Sequence, residues 1–141
     1  MEDFRWLGVF ATGIRGLDDD HRRLVDLVAL IQKADRTGDF GRRNQLCAEL
    51  VVAAHAHFQR EEAVLLNIDF TDLEEHSAHH GECLKRIVAI GDRWARSTVQ
   101  DQKGVEILID TLIQDLIKAD MSFKSFVQDS RPDLLDGGGP K

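Results

Sequence analysis

The sequence predicts an all-α fold, an antiparallel up-down-up-down four-helix bundle with an extended N-terminal arm. Three observations carry that expectation. Apolar residues recur at helical spacing through four long segments. The breaks between the segments are short. The chain holds only two prolines, Pro132 and Pro140, so proline interrupts no helix ahead of residue 131. Helices joined by short loops lie antiparallel to their neighbours, and their apolar stripes then close around one core.

Residues 1–16 (MEDFRWLGVFATGIRG) have no helical period and read as an arm packed by Phe4, Trp6 and Phe10. The first helix is expected from about Leu17 to Asp35, where Leu17, His21, Leu24, Val25, Val28 and Ile31 form an apolar stripe that includes a histidine. TGDFG (Thr37 to Gly41) stops it. The second helix, from about Phe40 to Asn67, places Leu46, Leu50, Ala53, His57, Glu61, Val64 and Leu65 on one face. IDFTD then turns the chain, with Thr71 or Asp72 as N-cap. The third helix, about Asp72 to Arg96, aligns Leu73, His76, His80, Cys83, Leu84, Ile87 and Trp94. The fourth runs from about Asp101 to Gln128. One domain over residues 1–130 is expected, followed by a mobile tail over 131–141 with no periodicity.

Composition narrows the class. At 141 residues and 43% hydrophobic content, one domain can bury a core without staples. A net charge of −7 argues against nucleic acid or an anionic membrane as partner. Two cysteines, Cys47 and Cys83, make no disulfide framework. No apolar run is long enough to span a bilayer, and MEDFRW lacks the order of a signal peptide, so a cytoplasmic setting is expected.

The chemistry lies in two histidine pairings. His57 with Glu61 and His76 with His80 are each spaced i,i+4, one turn apart on a helix face, which suits two side chains converging on a metal. A carboxylate one turn from an imidazole can bridge two ions. In an antiparallel bundle, early positions on odd helices lie level with late positions on even ones. His21, His57, His76 and the aspartates Asp115 and Asp120 can therefore meet at one bundle end. Burying Glu61 and Asp120 there without a cation would be costly.

TGIRGLDDDHRRLVDL around His21, HFQREEAVL around His57 and Glu61, DLEEHSAHH around His76 and His80, and DLIKADMSFKSF resemble the hemerythrins, in particular the bacterial hemerythrin-like proteins. The resemblance covers nearly the whole chain. It implies a cofactor of two iron ions with an oxo or hydroxo bridge and two bridging carboxylates, here Glu61 and Asp120. His21 and His57 would hold the five-coordinate iron that binds O2, and His76 and His80 the other.

The last helix departs from the family pattern. His-x-x-x-x-Asp becomes Asp115-Leu-Ile-Lys-Ala-Asp120, with aspartate at the seventh ligand position. A second register would set Asp120 at the histidine and Ser125 at the aspartate; the first is preferred because Phe123 and Phe126 then follow the bridging aspartate as family aromatics do. The family's tryptophan one turn earlier is Thr111 here, which implies a more polar pocket wall. Asp115 as a ligand would add negative charge and favour Fe(III) over Fe(II), and as a non-ligand would leave an open position.

The other candidates read more plainly. His55 and His79 fall off the ligand face and are expected at the surface. Cys83 reads as a small core residue, and Asp18 to Asp20 as acidic residues favoured at a helix N-terminus. Binding of O2 or NO for sensing or storage is the leading function. A di-iron oxidoreductase acting on peroxide or O2, and a bundle loaded with another metal, are its rivals. With no tyrosine in the chain, tyrosyl-radical chemistry is excluded.

Overall fold

The computed structural model describes residues 4–8 and 11–135, with the helical backbone alone given at residues 15 and 117–123. Phe10 and the side chain of Asp120 lie outside the described residues, as does the tail beyond 135. The chain forms helices α1 (Arg15–Thr37), α2 (Phe40–Asn67), α3 (Leu73–Trp94) and α4 (Gln102–Ile113), then a π-helical segment (Gln114–Ala119) and α5 (Asp120–Ser130).

Local chemistry sets the boundaries. Gly38 ends α1 at φ 82°, a left-handed conformation that glycine adopts without Cβ strain, and its N–H meets the carbonyls of Ala34 and Asp35. Asp39 then caps α2 by accepting from the Arg42 N–H. Asp72 holds the N-cap position of α3 without a side-chain bond. Asp101 caps α4 through Gly104 N. Helix α1 begins ahead of the expected Leu17. Its entry is fixed by Asp18, whose carboxylate accepts from the backbone N–H groups of Thr12 and Gly13 and from the Thr12 hydroxyl.

Helix α1 packs on α2 and α4, and α3 packs on the same two helices, which closes the four-helix bundle. The main core includes Leu24, Val28, Ile31, Leu50, Ile87, Trp94, Leu108 and Leu116, and Phe4 and Trp6 of the arm pack against it. A second cluster of Leu17, Leu65, Ile68, Phe70 and Val127 closes the other end. Leu134, the last residue of the short 3-10 turn Pro132–Leu134, and Leu135 after it pack on that cluster.

The expectation of one continuous fourth helix is corrected. Over five residues an α-helix leaves position 120 about 140° around the axis from position 115. The π segment closes its turn with i→i+5 bonds, so its backbone carries the two positions to nearly the same side. The apolar period of the segment cannot reveal this, because both helix types keep Leu112 and Leu116 on the core.

Candidate metal centre

Five buried side chains from three helices converge at the bundle end away from the α2–α4 caps. They are His21 of α1, His57 and Glu61 of α2, and His76 and His80 of α3, all 5% exposed or less. Glu61 stands between two histidine pairs. Its Oε2 lies 3.1 Å from His57 Nε2 and 3.6 Å from His21 Nε2. Its Oε1 lies 3.1 Å from His80 Nε2 and within hydrogen-bond distance of His76 Nε2. His21, His57 and Glu61 form one group able to hold a metal ion, and Glu61, His76 and His80 a second.

Carboxylates behind the rings set their orientation. His57 Nδ1 lies 3.3 Å from Asp20 Oδ2, and Asp20 is held in turn by two 2.7 Å bonds from Arg60. His80 Nδ1 lies 2.9 Å from Glu62 Oε2, and the Ser77 hydroxyl donates to Glu62. A proton kept on Nδ1 by such a carboxylate leaves the Nε2 lone pair pointing inward, the tautomer that binds a metal. Phe58 stacks on His80 at 4.2 Å, and Phe70 meets His76 edge-on. These rings keep the imidazoles in place and water away.

Buried atoms test whether a metal fits. Glu61 Oε2, His80 Nε2 and both oxygens of Asp115 have no hydrogen-bond partner. Acceptors facing inward without donors are costly in a protein interior, and a divalent or trivalent cation removes that cost. The residues fit the group. Without a metal, protons balance the charge of the site, and a cation binding there would displace them. Burial would raise the Glu61 carboxyl, but His21, His57, His76 and His80 outweigh it and hold Glu61 well below the usual range. Burial would lower His80, yet Glu61, Asp115 and Glu62 push it to about 9. For Asp115, burial first and Glu61 second raise the carboxyl despite the opposing pull of His80.

Asp115 is fully buried in the π segment, with Oδ1 3.7 Å from the Nε2 atoms of both His80 and His79. It belongs to neither tight ligand group. Three sequence expectations change here. His79 is only half exposed, and its Nε2 is buried against Asp115 rather than in solvent, because α3 turns that edge of the ring toward the π segment. Asp18 ties down the loop before α1 and Asp20 braces His57, so neither is merely an acidic residue at a helix start. Thr111 does not make the wall more polar through its hydroxyl, which donates to Ile107 O at 2.7 Å. His55 is exposed and Cys83 is buried, as expected.

Asp20, Arg60, Glu62 and Ser77 were missed in the sequence. Asp20 and Glu62 adjoin His21 and Glu61, and that adjacency was the available signal. Which ring each carboxylate supports depends on packing between helices.

Residues 12–118 match the family model described as the hemerythrin HHE cation binding domain. The chain belongs to the hemerythrin family. A hemerythrin relative, the bacteriohemerythrin of Clostridium acetobutylicum, is 26% identical over 88 residues, which cover 60% of this chain and 68% of the relative. Among the described residues of this hemerythrin, no helix is long and apolar enough to cross a membrane.

Proposed function

We propose that this hemerythrin is a non-haem di-iron protein that binds O2 or NO for sensing or storage. Glu61 carries the reading, because each of its oxygens faces a separate histidine pair and one of them lacks any hydrogen-bond donor. His21 and His57 would hold one iron, His76 and His80 the other. Glu61 and Asp120 would bridge them, with an oxo or hydroxo group between, and Asp115 would stand beside the His80 iron. The i→i+5 backbone at Gln114–Ala119 supports pairing positions 115 and 120. When bound, the iron pair supplies reversible electron transfer to a small ligand. The chain's own groups hold the imidazoles, keep Nδ1 protonated and exclude water.

Metal analysis of protein purified from iron-replete cells is expected to give two iron ions per chain. Glu61→Ala should lose both ions, and His21→Ala should mainly weaken one. One ion or none in the parent would overturn the reading.

An oxidoreductase acting on O2 or peroxide is the second reading, favoured by the unpaired carboxylate of Asp115. An anionic oxygen donor there stabilises Fe(III). Anaerobically reduced protein exposed to air separates the two. A lasting spectrum that reverses on removing oxygen supports binding, and direct passage to the diferric spectrum supports turnover.

A further inference from the structure

Asp115 needs a different kind of support from the histidines around it. A histidine ligand turns an N–H outward and is steadied by an acceptor, as Asp20 steadies His57 and Glu62 steadies His80. An aspartate ligand turns an oxygen outward and is steadied by a donor. Asp115 is fully buried, and neither of its oxygens has a hydrogen-bond partner. Two imidazoles among the described residues face it. His80 Nε2, which also meets Glu61, lies 3.7 Å from Asp115 Oδ1, and His79 Nε2 lies at the same 3.7 Å.

His79 belongs to neither of the two groups able to hold a metal ion. On α3 it stands about 100° around the axis from His80, on the edge that packs against the π segment carrying Asp115. Its side chain is 35% exposed, yet its Nε2 is buried without a hydrogen-bond partner. A buried imidazole nitrogen and a buried carboxylate oxygen, each lacking a partner and facing one another, are complementary once that nitrogen carries the proton. The gap between them exceeds a normal N–H···O distance by less than about 1 Å. On the α3–α4 flank the same ring lines a cavity of about 290 Å³ with Cys83, Arg86, Thr111 and Gln114, so packing does not hold that side of it in place.

We propose that His79 is a positioning residue for Asp115: its Nε2–H donates to one carboxylate oxygen and leaves the other for the ion held by His76 and His80. The proposal rests on the di-iron reading. Retention of that ion then depends on a residue of α3 that touches no metal, and His79 and Asp115 act as one unit.

The test is anaerobic competition between the protein and a ferrous-iron chelator, which reads the affinity of each of the two ions. His79→Phe keeps a ring and removes the donor, and should weaken one ion by about 10–100-fold while sparing the other. His79→Gln restores an N–H donor of similar reach and should hold that ion within about threefold of the parent. In Asp115→Ala the carboxylate is gone, so adding His79→Phe should weaken the ion by less than about twofold more, as expected of two residues acting through one contact. Should Asp115→Ala fail to fold, the contrast between the two His79 variants decides. Parent affinity in His79→Phe, a loss shared equally by both ions, equal losses in the two His79 variants, or losses that multiply in the double variant overturn the proposal, while two irons per chain leave the di-iron reading standing. A parent that holds one ion or none overturns both.

Discussion

At the residue scale, the centre is a set of imidazoles held in place by carboxylates further out. Asp20 shows how much depends on the outer positions. It binds no inward-facing atom, yet it keeps the proton on His57 Nδ1 and is itself locked by Arg60. Asp20→Asn should lower affinity for the ion at His21 and His57 by about 10–100-fold, the usual cost of losing such a partner. The second ion should change little, because His80 is braced separately by Glu62. Competition with a chelator, followed by metal content, measures the two losses. The inner residues were legible in the sequence because His57, Glu61, His76 and His80 keep helical spacing on faces otherwise apolar. The outer ones were not, since Asp20 supports a histidine of another helix and Glu62 looks like any acidic residue on a solvated face.

At the scale of elements, the far end of the bundle has its own polar anchor. Arg43 of α2 is fully buried, donates to Asp35 of α1 at 2.8 Å and to Val99 O, and stacks its guanidinium between Phe40 and Trp94. Asp101 accepts from Trp94 Nε1, Arg93 and Gly104 N, while its own N–H donates to Asp35. Four helix ends are thereby joined. Arg43→Met would strand the buried Asp35 carboxylate, and a loss of about 3–5 kcal/mol is expected in urea unfolding of the iron-free protein. Burial alone would raise the Asp101 carboxyl, but the bonds from Trp94 and Gly104 and the charges of Arg93 and Arg43 hold it below its ordinary 3.8. A group lowered on folding adds stability above its unfolded pKa and loses it as pH falls through the folded value. The stability gap between the parent and Asp101→Asn should therefore shrink steadily from about pH 5 toward pH 3, as urea midpoints would show. A constant gap would mean the charge of Asp101 is not what holds the anchor. Helix periodicity in the sequence located all four helices, and Phe40–Asn67 agrees at both ends. It did not show the π turn, because Leu112 and Leu116 reach the core at an ordinary i,i+4 spacing and no residue type in Gln114–Ala119 marks the wider turn.

At the scale of the whole molecule, folding and metal binding are linked through the acceptors at one end. Iron-free protein keeps Asp115 buried with both oxygens unpartnered and Glu61 balanced only by the imidazoles around it, so part of the metal-binding free energy becomes folding free energy. The iron-free form should melt well below the loaded form in calorimetry, and equal melting temperatures after verified chelation would count against a buried centre. The fold class was legible because helix length, loop length and proline placement all agree on it. The shape of the site was less so: which flank admits solvent depends on how His79, Thr111 and Gln114 meet across α3 and α4.

The Arg43–Asp35–Asp101 anchor has a kinetic consequence. It ties the helices together at the end opposite the histidines, so the metal end can fray while the far end preserves helix register. Amide exchange in the iron-free protein should then be graded along each helix, slow near Asp35, Arg43, Trp94 and Asp101 and fast near His21, His57 and His76. Iron would be taken up by a chain already aligned, much as the teeth of a half-closed zip are aligned before the slider reaches them.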